Sequence, residues 1–220
     1  MPAANALNYL ALQDAVLGRR FPAASQRPNA KRWLATAYQD VWSALEAPRM
    51  WTFARVSLAA LTVSSATPTM PTDFGEVIDL YDELGTPLTR LSQEEFEPVA
   101  ASQVAQGPPY VYMSLNRQVT LAPTPSGSLA YKLSYRRRLS HKESDGTTVT
   151  GGFFDEDSDY PLWDDHHSVL IPRATAIGLP EINDPTWEQA QDEYERQLMR
   201  MVEDYEYERP QQQWAKAYWY

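Results

Sequence analysis

Two short acidic stretches carry the side chains best suited to metal or acid–base chemistry. The chain has three histidines, His141, His166 and His167, and the last two follow a pair of aspartates in WDDHHS. Aspartate with histidine can bind a metal ion or relay a proton. Neighbouring residues of a helix point in different directions, so these two rings cannot readily reach one ion. We therefore expect a polar helix start in which one histidine packs or caps.

The second stretch is DEDSD at residues 155–159. It presents Asp155, Asp157 and Asp159 at alternate positions, where the first three ligands of a calcium loop stand. The pattern then breaks, because Tyr160 occupies the place of the turn glycine and His166 that of the closing glutamate. A solvated acidic loop is the expectation. The alternative is a metal-dependent hydrolase that uses these three aspartates with His166 and His167.

The sequence contains few residues or motifs for phosphate binding, nucleophilic catalysis or cysteine chemistry. The run Arg136, Arg137 and Arg138 ends a predicted strand among acids, which favours an inter-subunit salt-bridge patch or a solvated strand end over a phosphate site. No GxSxG, Walker-type or GxGxxG pattern occurs. The chain has no cysteine, which excludes disulfides, thiolate nucleophiles and Cys-ligated metal sites. We predict no catalytic residue, no metal, no cofactor and a protein that is not an enzyme.

Aromatic side chains are abundant, with seven Trp and thirteen Tyr. Four of the tryptophans are expected in the core: Trp33, Trp42, Trp163 and Trp187. The end of the chain, QQQWAKAYWY at residues 211–220, follows a charged connector broken by Pro210. Trp and Tyr anchor protein interfaces, so this segment is expected to bind a partner, and folding back onto its own subunit is the alternative. Its predicted partner-binding residues are Trp214, Tyr218, Trp219 and Tyr220. A carbohydrate-binding module with exposed aromatic platforms is a further alternative.

Apolar spacing predicts two N-terminal helices. Residues 5–18 carry apolar side chains at near-helical spacing, with Gly18 as a stop. Asn29 is expected to cap the second helix, in which a broad apolar stripe runs before Pro48. The members of that stripe are Trp33, Leu34, Ala37, Tyr38, Val41, Trp42 and Leu45.

β-branched and aromatic residues dominate the middle of the chain. Strands are predicted in MWTFARVSLAALTV, EVIDLYDELGTPLTRL, PYVYMSL, RQVTLAP and SLAYKLSYRRR, with a hairpin connection at residues 83–87 and turns at Asn116 and residues 123–127. Ser92 and Glu95 form a capping-box pattern, which predicts a short helix near residues 92–104. Residues 51–138 are therefore expected to form a small, mostly antiparallel β unit.

A polar segment and two helices make up the last third. Residues 139–161 are polar and broken by glycine, which indicates an exposed acidic loop, with a hairpin-like excursion as its alternative form. A helix is predicted to begin at Trp163 and to be kinked or restarted at Pro172. A second, long helix is predicted to start at Asp184 and Pro185. The expected fold class is α+β. It comprises a helical-bundle body of residues 1–50 and 162–209, the inserted β unit, and an extended C-terminal tail of residues 210–220.

Charge and hydropathy limit the partners. The formal net charge is −10 and the pI is near 4.8, which argues against tight non-specific binding to DNA or RNA. The N-terminus lacks the pattern of a signal peptide, and no window reaches the roughly 18 apolar residues of a membrane span. We therefore expect a protein without a membrane partner that is cytoplasmic at synthesis.

The order of these elements resembles the head-to-tail adaptor, or head-completion, proteins of tailed bacteriophages. The resemblance starts with the helix pair containing NAKRWLATAYQDVWSAL and continues through MWTF to PTDFGEVIDLYDELGTPLTRLSQEEFE. It then follows PPYVYMSLNRQVTLAPTPSGSLAYKLSYRRRL and a closing helical part with DPTWEQAQDEYERQL. Each motif is weak alone, but the ordered combination covers most of residues 5–205.

The resemblance implies a structural protein of the virion neck. It implies a homo-oligomeric ring, typically a dodecamer, that sits beneath the portal protein as a connector and extends the DNA channel to a downstream neck or tail protein. Double-stranded DNA would pass through without specific binding, and the chain would reside in the host cytoplasm before assembly. Some relatives dock on the portal through a C-terminal segment, a role that residues 211–220 fit by position. A stopper or tail-nozzle ring of the same neck is the nearest alternative.

Overall fold

The computed structural model describes residues 7–21, 26–46, 55–103, 105–145, 147–154, 156–163 and 166–217. The chain is a mixed α+β protein that divides into two compact units, Met1–Phe53 with Leu139–Tyr220, and Ala54–Arg138. The described helices are α1 (Tyr9–Arg20), α2 (Arg27–Glu46), α3 (Gln93–Ser102), α4 (Leu170–Gly178) and α5 (Trp187–Ala217). The described strands are β1 (Arg55–Val63), β2 (Phe74–Tyr81), β3 (Thr89–Arg90), β4 (Val111–Leu115), β5 (Gln118–Ala122), β6 (Leu129–Arg137), β7 (Ser140–Lys142), β8 (Val149–Gly151) and β9 (Tyr160–Pro161).

Helices α1 and α2 begin the first unit and contact each other and α4. The side chain of Asn8 caps α1 by accepting a hydrogen bond from the Ala11 N–H at 2.9 Å. Gly18 does not stop this helix, which continues to Arg20. Helix α2 begins at Arg27, so the expected cap Asn29 lies inside it. All seven residues of the predicted α2 stripe are buried.

Helix α4 begins later than the sequence indicated. Trp163 precedes it in a non-helical segment, where the Trp163 ring stacks on Tyr38 with 4.7 Å between ring centroids. A 3-10 turn at His167–Val169 leads into α4, and Pro172 is the third residue of that helix. The first turn of a helix tolerates proline because its N–H groups have no intrahelical acceptor. Pro172 therefore neither kinks nor restarts a helix that begins at Trp163.

Helix α5 follows a sharp stop and is longer than expected. Asn183 has a left-handed conformation (φ 57°), and the Asp184 carboxylate then accepts hydrogen bonds from the Thr186 N–H and hydroxyl at 2.9 and 2.6 Å. Trp187 is 41% exposed, so its expected place in the core was wrong. The helix also continues through Pro210 to Ala217, so residues 210–217 are helical and do not form the extended tail that was expected.

Residues 139–161 form a small sheet with the strand order β8-β7-β9, in which both pairings are antiparallel. Phe154 is buried against Tyr9 and Tyr38, with ring centroids 4.7 and 4.9 Å apart. His141 and Asp159 are also buried. The expectation of an exposed loop was therefore wrong for these residues, because aromatic packing attaches the segment to the helices of its own unit.

The second unit consists of two three-stranded sheets and α3. One sheet has the order β1-β6-β2 with antiparallel pairing, and the other has the order β3-β4-β5, in which β3 and β4 are parallel. The two sheets share one core, to which every strand except β3 contributes. Its buried members are Leu61, Val63, Phe74, Val77, Leu80, Leu88, Tyr112, Val119, Leu121, Tyr131, Leu133 and Tyr135.

The turn chemistry of the second unit follows the sequence closely. The Ser92 side chain caps α3, and the Glu95 carboxylate accepts a hydrogen bond from the Ser92 N–H, which confirms the capping box. Asn116 and Arg117 both have positive φ angles between β4 and β5, as the tightest hairpin turns require. Leu58 also has a positive φ, at an irregularity in the β1–β6 register. None of the described helices combines the length and the apolar composition that a membrane span requires.

Candidate assembly surfaces

The predicted binding segment lies at the end of α5. Trp214 belongs to that helix, whereas Tyr218, Trp219 and Tyr220 lie outside the described residues. Helix α5 therefore extends to within three residues of the chain end. The helix places Trp214 on a regular backbone that begins at Trp187.

The two adjacent histidines contact different elements. The Nδ1 atom of His167 accepts a hydrogen bond from the Leu7 N–H at 2.9 Å, and the His167 ring is buried. The Nε2 atom of His166 lies 3.3 Å from a carboxylate oxygen of Asp204 on α5. One histidine is thus packed against the chain ahead of α1, as expected. The pair serves structural contacts and does not converge on one point.

The aspartates of residues 155–159 also have separate partners. The Asp157 carboxylate accepts hydrogen bonds from Lys31 Nζ at 2.7 Å and Gln13 Nε2 at 2.9 Å. The Lys31 contact, followed by the Gln13 contact, holds the pKa of Asp157 below its usual range. An Asp159 carboxylate oxygen lies 3.4 Å from His141 Nε2. Asp155 lies outside the described residues.

Backbone carbonyls of the same segment complete the start of α1. The N–H groups of Tyr9 and Leu10 donate to the carbonyl oxygens of Asp159 and Asp157 at 2.7 and 2.8 Å. The first N–H groups of a helix have no intrahelical acceptor, so these contacts satisfy them. The acidic segment therefore fastens α1 to α2. Among the described side chains, no three His, Cys, Asp or Glu residues are grouped to hold a metal ion.

The arginine run is engaged inside the second unit. Arg137 Nε donates to Asp73 Oδ2 at 2.6 Å, and the Tyr135 hydroxyl donates to Asp73 Oδ1 at 2.7 Å. Arg136 lies 3.7 Å from the Glu76 carboxylate, and Arg138 Nε donates to the Thr72 carbonyl at 3.0 Å. These contacts favour a structural role within the unit for the three cations. The sequence missed Asp73 because its partners lie more than 60 positions away.

Exposed apolar side chains mark three other surfaces. Leu84, at the tip of the turn after β2, is 93% exposed. Leu115, 49% exposed, helps to line a surface cavity of about 400 Å³ at the end of β4. Met199, 66% exposed, lies on the outer face of α5 among acids at helical spacing. Those acids are Glu188, Asp192, Glu195 and Glu203. Composition alone gave no signal that would single out Leu84 or the cavity.

Comparison with known protein families matches residues 7–218 to a family of structural adaptor proteins of bacteriophages. This is the SU10 adaptor protein family, and the chain belongs to it. The match spans both units and nearly the whole chain, so it confirms the resemblance to phage head-to-tail adaptors. A comparison with curated proteins found no match. The family is structural and is not a class of enzymes. Its members contact other head and tail proteins of the phage.

Proposed function

We propose that this protein forms a homo-oligomeric ring beneath the portal, extends the DNA channel and joins the head to the tail. The observation that carries the proposal is the family match over residues 7–218, which makes the chain a phage adaptor. Such an adaptor occupies the virion neck, where its neighbours are the portal above and a neck or tail protein below. The portal of a tailed phage is a ring, and a dodecamer is the stoichiometry that the resemblance implies.

The aromatic end of the chain is the proposed portal anchor. Burying a large aromatic side chain contributes about 2 kcal/mol, so Trp214 and Trp219 together supply about 4 kcal/mol, or roughly a thousandfold in affinity. The usual cost of docking a terminal segment is the loss of backbone freedom. Helix α5 continues to Ala217, which lowers that cost because most of residues 211–220 start from a regular conformation. Tyr218, Trp219 and Tyr220 complete the proposed anchor.

The charge distribution supports a conduit for DNA. Residues 139–220 carry 18 of the 29 acidic residues but only 6 of the 19 basic ones. A dodecamer would bring on the order of 120 net negative charges around the channel, a field that opposes adhesion of a phosphate backbone. DNA that moves through the channel must not bind to its wall. A negatively charged wall, which repels the phosphate backbone, therefore suits this function better than a positively charged one.

Mixing the protein with isolated portal rings tests the proposal. Electron micrographs should show a second ring seated on the portal, and mass measurement should give its stoichiometry. Deletion of residues 211–220 should leave a folded protein that no longer attaches to DNA-filled heads. Attachment that persists without these residues would defeat the anchor assignment.

A length-matched variant separates the aromatic rings from the rest of the segment. Replacing Trp214, Tyr218, Trp219 and Tyr220 by alanine should abolish attachment to the portal. Replacing the three glutamines at residues 211–213 by alanine should not, because they contribute no aromatic surface. Imaging the protein between portal and tail in the virion then distinguishes an adaptor from a stopper or nozzle ring. An adaptor contacts the portal directly, whereas the other two lie further from the head.

A further inference from the structure

Strand β1 lies at the edge of its sheet and leaves one row of backbone groups open. The sheet has the order β1-β6-β2, so β6 pairs with one side of β1. Among the described residues, no backbone group outside β6 forms a hydrogen bond with β1. The unpaired edge of a strand is a template to which another strand can add. The outer side of β1 therefore offers such a template.

The other long edge strands of the same unit have backbone contacts on their outer sides. The Leu88 N–H donates to the Leu80 carbonyl at 2.8 Å, so the chain after β2 folds back along the end of that strand. In the other sheet, the Leu121 N–H of β5 donates to the Ala66 carbonyl at 2.7 Å. Of the described edge strands in this unit that are longer than two residues, β1 is thus the one whose outer side lacks a backbone contact.

The sequence of β1 lacks most of the features that protect an open edge. Sheets usually block such an edge with a charge, a proline, a bulge or a very short strand. Residues 56–63, VSLAALTV, contain neither a charged residue nor a proline. Their register with β6 is irregular between Val56 and Ala59, where Leu58 has a φ of 54°. Beyond this irregularity, residues 59–63 pair with β6 in unbroken register and form a regular, unprotected edge.

The hydrophobic core of the unit is incompletely covered along β1. Val56 and Ala59 pack against this core but are half-buried, and Leu58 is 56% exposed. Val77 and Leu80 occupy the same two rows of the sheet on β2, and both are buried. The difference lies in the outer side of β1, which no described strand flanks. A strand added there would remove more of the apolar surface of these rows from water.

The β1 strand of a second copy is the matching partner for this edge. A partner must present an open strand of similar length, and β1 itself is such a strand. Its one charged residue, Arg55, lies at its first position. Parallel pairing in equal register would place the two Arg55 side chains opposite each other, which is unfavourable. Antiparallel pairing of residues 59–63 instead separates them by roughly 40 Å and brings two uncharged stretches together.

We propose that two copies of the free protein pair through β1, with residues 59–63 of both copies forming an antiparallel ladder at the centre of a six-stranded sheet. The contact is isologous, because each copy contributes the same strand. Pairing uses the open edge of both copies, so the dimer is closed and its edges cannot bind other proteins before the portal is reached. Neighbours in a ring make heterologous contacts. This inference therefore goes beyond the proposed ring and does not depend on it.

Lysine substitutions on β1 test the contact. The edge variant combines Ala60→Lys with Thr62→Lys, at two exposed side chains that lie opposite Lys132 and Ala130 of β6. In the proposed ladder the added lysines of the two copies meet, which should raise the dissociation constant of the dimer about tenfold or more. The matched control combines Ser128→Lys with Ala130→Lys. It adds the same charge at exposed residues before and within the central strand, away from the open edge.

Sedimentation equilibrium of the full chain measures the mass at several protein concentrations. The parent and the control should approach twice the subunit mass as the concentration rises, whereas the edge variant should stay near the mass of one subunit. The unfolding temperatures of the three proteins should agree, because the substituted side chains are exposed. A parent that is monomeric at every concentration, a parent that forms larger oligomers, or an edge variant that pairs like the control would overturn the proposal.

Hydrogen exchange of the unsubstituted protein gives a second readout that needs no variant. The backbone amides of residues 59–63 should exchange more slowly as the protein concentration rises, because pairing protects those on the open edge. The amides of β8, in the other unit, should exchange at the same rate at every concentration. Exchange in residues 59–63 that does not depend on concentration would overturn the proposal. The portal is absent from both measurements, so a failed dimer leaves the proposed ring standing.

Discussion

Alanine at Gly178 is expected to destabilise the first unit. Gly178 is the last residue of α4, and a Cβ atom there would lie 2.8 Å from two ring carbons of Trp33 and 2.9 Å from Cζ of Phe21. Real Cβ contacts are almost never this short. Both rings are buried and their centroids are 4.6 Å apart, so they have little room to withdraw.

The expected magnitude is the balance of two terms. Overpacking a filled core costs about 1–3 kcal/mol. Replacing a helical glycine by alanine returns about 1 kcal/mol of helix propensity, or less at a helix end. Gly178→Ala should therefore lower the free energy of unfolding by about 1–2 kcal/mol. In a chain of this size each kcal/mol corresponds to about 2–4 °C in the unfolding temperature.

Gly18→Ala is the matched control in the same unit. Gly18 lies inside α1, and a Cβ atom there would have no heavy atom within 4 Å. Only the difference in helix propensity remains, so the free energy of unfolding of this variant should rise by about 0.5–1 kcal/mol. The two glycine-to-alanine changes should thus shift stability in opposite directions. Both lie in helices whose backbone permits any residue, since neither glycine has a positive φ.

Tryptophan fluorescence during urea unfolding is the appropriate assay. All seven tryptophans lie outside residues 54–138, so this signal reports the first unit. The urea concentration at half-unfolding should fall for Gly178→Ala and rise for Gly18→Ala. The dependence of the unfolding free energy on urea concentration should change little. An equal gain in both variants would refute the close packing of α4 against Trp33 and Phe21.

Three further substitutions test other contacts. Tyr38→Phe should cost about 2–3 kcal/mol in urea unfolding, because the buried hydroxyl donates to the Ser140 carbonyl and accepts from the Leu162 N–H; a loss below about 0.5 kcal/mol would contradict that network. Asp73→Asn should destabilise the second unit by about 3 kcal/mol, read from tyrosine near-ultraviolet circular dichroism, with the tryptophan midpoint unchanged. Asp157→Asn should cost under about 1 kcal/mol at pH 7, because the contact with Lys31 is half exposed. The contacts that lower the pKa of Asp157 stabilise the fold above the unfolded pKa of about 4, and this stabilisation is lost as the pH falls through the lower folded pKa. The difference from the parent should therefore shrink as the pH falls below about 4, and a difference as large at pH 2 as at pH 7 would contradict this.

The sequence predicted elements whose signals are local. The α2 stripe from Trp33 to Leu45 repeats at helical spacing, and burial of that face follows from the repeat alone. The capping box of Ser92 and Glu95 spans four residues and forms as expected. The turn at Asn116 joins two strands that pair in sequence order, so short-range rules suffice there as well.

Contacts distant in sequence account for the errors. The polar composition of residues 139–161 indicated an exposed loop, but Phe154 packs on Tyr9 and Tyr38 in helices more than 100 residues earlier. The pair Phe153 and Phe154 inside a polar stretch was the available signal for this packing. Trp187 was expected in the core because it continues the apolar face of α5, yet the first turn of that helix projects it into solvent.

The candidate surfaces divide in the same way. Composition and position indicated the aromatic end of the chain, and that assignment stays a prediction. The exposure of Leu84 could not be predicted from the sequence. A single leucine in a turn is notable only once its exposed side chain and the hydrogen bonds that Asp82 accepts from the turn are known. The cavity at the end of β4 depends on the parallel pairing of β3 and β4, which no local pattern indicates.

An image of the assembled neck at side-chain resolution tests the central claim most directly. The predicted result is a ring of this protein seated on the portal, with Trp219 and Tyr220 of each copy lodged in grooves of the portal. The claim would be contradicted if the side chains of these two residues packed against their own subunit. It would also be contradicted if they had no fixed position while the protein was bound to the portal.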